Sequence, residues 1–281
     1  MHGKFDMDTS TVFLPTAATS GLLATMAWYS MVVSMFSLLA SFLFSAQTRT
    51  HVAPEHNTSR VLTACIGLVA GISYYFIQDY YRSFLATTGG VPTYAESKDA
   101  FLAIGQLRYM DWTITTPLLL IKMFMMAGVR KSRGYRLLAI ALLGDVWMIV
   151  TGYIGDQQVA AGNEILVGPR LVWGAVSTIG YLAVVYALFR VWKENVPGRQ
   201  PVEQRAFRYI ALTVVTLWGV YPIGYILIAV TGMNPDVLQI AFSVADIINK
   251  VGVGIVVYLA GSTMLTQRID IQSREYAMNV G

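Results

Sequence analysis

The sequence predicts an all-α membrane protein: a bundle of seven transmembrane helices, with the N-terminus outside and the C-terminus cytoplasmic. Three observations carry that prediction. Of 281 residues, 55% are hydrophobic and only 13% charged, with mean hydropathy +0.54, whereas a soluble domain carries about 25% charged residues. Apolar stretches of about 20 residues, the length a helix needs to cross a bilayer, recur seven times along the chain. Lys and Arg gather on alternate connections between them.

The first span, 14–45, is long and predicted to protrude from the bilayer. The second, 59–82, follows a polar connection holding His51 and His56. Thr87-Thr88-Gly89-Gly90-Val91-Pro92 comes next and is expected to form a small hairpin outside the membrane. The third span, 101–128, carries internal charges. Spans 134–155 and 168–192 are followed by Asn195-Val196-Pro197-Gly198, a turn sequence. In the sixth, 206–232, Pro222 invites a kink. The last is 237–265. Residues 1–13 form an extracellular segment, 14–265 the seven-helix domain and 266–281 a cytoplasmic tail. The first 13 residues are polar and mixed in charge, unlike a signal peptide.

Orientation follows from charge. The connections after spans one, three and five, with the tail, hold 13 of the 20 Lys and Arg residues, including Arg130, Lys131, Arg133, Arg136, Arg190, Lys193, Arg199, Arg205 and Arg208. The other side holds Lys4, Arg82, Lys98 and Arg170. Basic connections stay cytoplasmic, so the first residues lie outside. A multi-pass protein of the cell (plasma or inner) membrane results, with the lipid bilayer as its partner. The single cysteine, Cys65, excludes a disulfide framework and suggests no metal cluster, and a formal charge of +4 needs no nucleic acid to explain it.

Charges inside the spans are the informative residues. A lysine at mid-bilayer costs roughly 3 kcal/mol on insertion scales, so it needs a partner or a task. Lys250 lies mid-way along the last span, and Asp246, four residues earlier, shares its helical face. The pair reads either as a buried salt bridge or as a lysine carrying a covalent imine with an aspartate counter-ion. In span three, Arg108, Asp111, Thr115 and Lys122 line one face, with Lys122 about 16 Å beyond Asp111 along the helix. Trp112, Trp218 and Tyr221 fall near mid-depth, either as ordinary packing or as the wall of a cavity for a long apolar ligand.

Three motifs then converge. Arg-Tyr-Met-Asp-Trp-x-x-Thr-Thr-Pro-Leu-Leu-Leu at 108–120, Trp-Gly-Val-Tyr-Pro at 218–222 and Asp246-x-x-x-Lys250 resemble the microbial (type 1) rhodopsins, in order and on helices three, six and seven. The resemblance covers nearly the whole chain. It implies all-trans retinal bound to Lys250 as a protonated Schiff base, with Asp111 as counter-ion and proton acceptor. Asp246 becomes the second counter-ion and Arg108 the outer gate. Trp112, Leu119, Asp145, Met148, Gly152, Ser177, Trp218, Tyr221 and Pro222 match chromophore-pocket positions.

The helix-three triplet Asp111, Thr115, Lys122 resembles outward proton pumps of the proteorhodopsin and xanthorhodopsin kind. Lysine at the third position is similar to the Exiguobacterium-type pump and makes Lys122 the candidate cytoplasmic proton donor; the plain alternative is a lysine snorkelling to the headgroups. The resemblance implies a light-driven transporter rather than an enzyme, with a photosensory or slow-cycling rhodopsin as the alternative. Two features depart from the pattern. Ser73 stands where related pumps place a histidine on helix two, and 232–236 lacks the paired glutamates of haloarchaeal proton release. Gly174 matches the small residue that opens a side window for a carotenoid antenna in xanthorhodopsin-like proteins. The family also implies a homo-oligomer, trimer or pentamer.

Overall fold

A computed structural model of the chain describes residues 12–129 and 132–280. Most of the expected extracellular segment, with Lys4, lies outside the described residues, as do Arg130 and Lys131. Among these residues ten α-helices follow one another: α1 (Ala17–Ser20), α2 (Leu22–Gln47), α3 (Asn57–Thr88), α4 (Tyr94–Met126), α5 (Ser132–Asp156), α6 (Val167–Glu194), α7 (Pro201–Leu217), α8 (Val220–Val230), α9 (Pro235–Asp246) and α10 (Val253–Val280). A π-helical turn, Ile247–Gly252, joins the last two. Counting α7 with α8 and α9 with α10 as single rods gives seven crossings. Among the described residues, six helical segments are apolar enough to span a membrane by composition. The seventh crossing is α4, whose 33 residues reach about 50 Å, and whose internal Arg108, Asp111 and Lys122 dilute its hydropathy.

The helix boundaries have local causes. The first span is broken at Gly21, whose φ of 79° suits glycine, leaving the one-turn α1 ahead of α2. α3 runs six residues past its expected end and stops at Gly89 in the left-handed region. Thr93 then caps α4, and Glu96 reaches back to the Thr93 amide at 2.8 Å. No hairpin forms at 87–92; those residues are consumed by a helix end and a helix cap. The hairpin sits instead between α5 and α6, where Val159 pairs with Ile165 across a turn carrying Gly162 and Asn163 at positive φ. The sixth rod breaks at Trp218-Gly219, four residues before Pro222, whose ring denies Trp218 its helical partner. α10 continues as helix through the expected tail, and its side chains from Gln267 to Asn279 are exposed.

Packing follows chain order, α2 against α3, α3 against α4, α4 against α5 and α5 against α6, with α9 returning beside α2 to close the ring. Large apolar side chains such as Phe36, Leu143 and Leu182 face outward, where lipid tails rather than water would meet them. Polar and charged side chains turn inward, Arg108, Asp111, Lys122, Asp145 and Asp246 all being buried. Glycines let α5 and α6 approach closely: a Cβ on Gly144 would meet the Gly180 carbonyl at 2.8 Å.

Candidate functional site: a buried lysine in an aromatic cavity

Lys250 projects from the π-helical turn toward α4. Its Nζ is ion-paired to Asp111 Oδ2 and lies 3.5 Å from Asp246 Oδ1. Single π turns replace the i→i+4 ladder locally and are frequent at functional positions. The two carboxylates are held differently. Asp246 accepts from Tyr74 Oη at 2.8 Å and from Tyr221 Oη at 2.6 Å. Asp111 has its Oδ1 buried without a protein partner. Asp111 therefore keeps one oxygen free to accept a hydrogen bond or a proton, whereas both oxygens of Asp246 are engaged.

Arg108 sits below this cluster on the side of the bundle where α4 begins. It donates to Tyr74 Oη at 2.9 Å and to Gln239 Oε1 at 2.9 Å, and lies 3.7 Å from Asp246 Oδ2. Two cations and two carboxylates therefore share one buried site and balance in charge. The structure brings Arg108, Asp111, Asp246 and Lys250 together and adds Tyr74 and Gln239, which were not singled out in the sequence. Gln239 had a signal, since it precedes Asp246 by two helical turns on the same face. Tyr74 pairs across helices, which spacing within one helix cannot reveal.

A cavity of about 250 Å³ opens beside Lys250. Its wall contains Trp112, Leu119, Met148, Gly152, Ser177, Trp218, Tyr221 and Pro222, all expected there, and Gly174 as well. Such a mostly apolar wall with a few convergent polar groups is the usual build of a small-molecule site. Tyr109, Thr116, Tyr181 and Tyr225 also line it and were not anticipated. Asp145 is the exception among the expected pocket residues: it lies behind the wall, fully buried, and accepts from Thr116 Oγ1 at 2.8 Å. Thr115 lines the cavity, but its hydroxyl donates to the Asp111 backbone carbonyl at 3.0 Å rather than to the carboxylate. Ser73 does not reach Asp111; its hydroxyl contacts the Leu107 carbonyl at 3.4 Å.

Toward the other end of α4, Lys122 is fully buried and donates to Thr63 Oγ1 at 3.3 Å. The side chain turns into the bundle rather than out to a headgroup layer.

Fold and site together define a seven-helix membrane protein built around a lysine–carboxylate cluster in a ligand-sized cavity. The sequence matches the family described as bacteriorhodopsin-like protein over residues 23–264, and the chain belongs to that family. It is a microbial rhodopsin, a multi-pass protein of the cell membrane. It is 27% identical over 228 residues to a green-light absorbing proteorhodopsin of a gamma-proteobacterium, covering 79% of this chain and 81% of that one. A bacteriorhodopsin-II-like protein of Haloquadratum walsbyi is 29% identical over 244 residues, covering 85% and 90%. Among solved structures, Exiguobacterium sibiricum rhodopsin superposes with a TM-score of 0.70 at 28% identity, covering 85% of this chain and 96% of that one. Xanthorhodopsin, described as a light-driven ion pump with dual chromophore, shares the fold with a TM-score of 0.73 at 24% identity, covering 91% and 99%.

Proposed function

We propose that this rhodopsin is a light-driven outward proton pump, with Lys250 as the attachment point of all-trans retinal and Asp111 as the proton acceptor. The observation that carries the reading is the Lys250–Asp111 pair itself, buried beside a cavity, with Asp111 Oδ1 left free. The cavity fits the polyene: its wall is aromatic and aliphatic, and at Gly152 an added Cβ would come within 3.3 Å of Ser177 Oγ and Tyr109 Oη. Retinal bound as an imine on Lys250 supplies the light-driven displacement of the Nζ–H away from its partner.

The residues of the chain do the rest. Asp246, fixed by hydrogen bonds from Tyr74 and Tyr221, serves as the second counter-ion beside Nζ. Asp111, with a free oxygen, takes the proton when the pair is disturbed. Arg108 bars return from the side where α4 begins, held by Tyr74 and Gln239. Lys122 waits on the opposite side to return a proton to Nζ. The basic connections put that side in the cytoplasm, so the net movement is outward.

The test is direct. Cells expressing the protein with retinal are illuminated in unbuffered medium, with and without a protonophore. The pump predicts acidification that the protonophore abolishes. A coloured protein with no pH change and a dark recovery lasting seconds overturns it in favour of a photosensor.

The wall near Gly174 supports a second element of this proposal, a carotenoid antenna. Gly174 and the exposed Thr178 and Pro222 border the cavity, so it is open toward the lipid between α6 and α8. Added carotenoid is expected to drive pumping at its own absorption bands, and Gly174→Trp to remove that sensitisation. Pumping confined to the retinal band with carotenoid present excludes the antenna.

A further inference from the structure

The connection between α2 and α3 carries a titratable pair that the reading above leaves idle. His56 closes the short 3-10 turn Pro54–His56 and is 3% exposed. Its Nε2 lies 3.2 Å from Glu203 Oε1 and 3.2 Å from Met264 Sδ, while its Nδ1 is buried with no protein partner. Glu203, in the first turn of α7, is also buried, and accepts from the Arg199 side chain and from the Gln200 amide at 3.2 Å. A stitch between a loop and a helix would need only the Nε2 contact. The unpaired Nδ1 calls for another partner.

His56 borders a small second cavity of about 10 Å³, with Arg60, Thr63 and Tyr258 among its other walls. That is room for about one water molecule, and the site offers it polar partners. Thr63 is the residue whose hydroxyl accepts from Lys122. Glu203, His56, the cavity, Thr63 and Lys122 therefore form a continuous polar series, with Ser45 and Thr48 also in the cavity wall. No single helix supplies it: the members come from α7, the connection, α3 and α4.

We propose that His56, held by Glu203, is the proton-uptake relay that recharges Lys122 through Thr63. The proposal rests on the proton-pump reading. Once Lys122 has given up its proton, imidazolium His56 releases the Nδ1 proton to water in the cavity. The Thr63 hydroxyl, which donates to the Ser59 carbonyl at 2.9 Å, turns to give its proton to the Lys122 amine and takes one from that water. Solvent then reprotonates His56 beside the Glu203 carboxylate, so one proton enters and no electrons move. The charges facing His56 are Glu203 and Arg199 from the α7 side and Arg60 across the cavity; Arg60 is tied to the Ser45 and Ala46 carbonyls. The Glu55–Arg268 pair flanks the same turn.

The experiment follows proton release and uptake after a flash, with a pH-indicator dye, in the retinal-loaded full-length protein. His56→Gln and Glu203→Gln are expected to slow uptake by on the order of tenfold or more, a conservative share of what a positioned acid or base contributes. The release phase and the dark absorption maximum should stay as in wild type. Azide, a small weak acid able to carry a proton through the gap, should restore uptake. Thr63→Val, a substitution in the cavity wall, carries the same expectation if His56→Gln does not fold. Uptake at the wild-type rate in these variants, or slowing that azide does not reverse, overturns the relay. A wild-type protein that releases no proton on a flash overturns the pump reading instead, so the two failures are distinguishable.

Discussion

Lys250 is held more closely by Asp111, on a different helix, than by Asp246, its neighbour one turn back on the same rod. The π-helical turn swings Nζ across to α4, and Tyr74 and Tyr221 occupy Asp246. The two carboxylates are therefore unequal, and Asp111→Asn should separate their roles. Asp246 remains to neutralise Lys250, so a coloured protein still forms. Light-driven acidification should fall by about 100-fold or more, the loss expected for a positioned proton acceptor. Pumping that survives this substitution would reassign the acceptor to Asp246.

A second buried pair lies away from the cavity floor. Arg170 is fully buried, donates to Asp156 Oδ1 at 2.6 Å and stacks over Tyr225, its guanidinium carbon 4.2 Å from the ring centre. Asp156→Asn leaves that guanidinium without its counter-charge and should cost about 3–5 kcal/mol. Replacing both partners by apolar residues of similar volume should recover most of the loss. Thermal unfolding of the single and double variants measures this, and an unchanged midpoint in Asp156→Asn would show the pair to be dispensable.

The seam between α5 and α6 sets the position of Met148 and Ser177 in the cavity wall. An added Cβ on Gly180 would meet the Met148 amide nitrogen at 2.7 Å and the Gly144 carbonyl closer still. Gly180→Val must push the helices apart, at about 1–3 kcal/mol for overpacking. The absorption maximum of the retinal-loaded protein should move with the wall. A variant with wild-type stability and colour would mean the seam has slack.

Most of this architecture was legible in the sequence because a membrane enforces strong rules. Length and apolarity gave the spans, and the cost of intramembrane charge singled out Lys250, Asp111 and Asp246. What was missed is cross-helix. Tyr74 against Arg108, Thr63 beneath Lys122 and Arg170 against Asp156 are contacts set by how helices rotate against one another, which periodicity within one helix does not encode. His56 looked like a loop histidine because it is one by sequence; only the return of α10 and α7 over the connection buries it. Asp145, whose position matches the pocket, turns behind Thr116 as a hydrogen-bonded buried carboxyl.

The start of α4 gives a pH-dependent expectation outside the membrane. The Thr93 amide and hydroxyl both donate to Glu96, which holds its carboxyl below the usual range. A depressed carboxylate stabilises the folded cap above its unfolded value, and that contribution disappears as pH falls through the folded one. Hydrogen-exchange protection in the first turn of α4 should drop on acidification in the wild type and be independent of pH in Glu96→Gln, whose amide oxygen can still accept from Thr93. Protection indifferent to both changes would show that the Thr93 side chain alone caps the helix.

Lys122 offers the sharpest test, because stability and function should move in opposite directions. Its ammonium is fully buried, with one neutral hydroxyl as its hydrogen-bond partner. Burying a polar group so poorly satisfied costs about 1–3 kcal/mol by mutational measure. Methionine fills a similar volume with a flexible apolar chain, so Lys122→Met should raise the thermal midpoint. A residue kept only for packing would gain by that exchange and lose nothing. If Lys122 instead returns the proton to Lys250, the more stable variant will recover from a flash more slowly, by on the order of tenfold or more. A stabilised variant with an unchanged recovery rate leaves Lys122 a bystander. A destabilised one would mean that the ammonium is better solvated than a single hydroxyl can account for, by water in the cavity on the far side of Thr63.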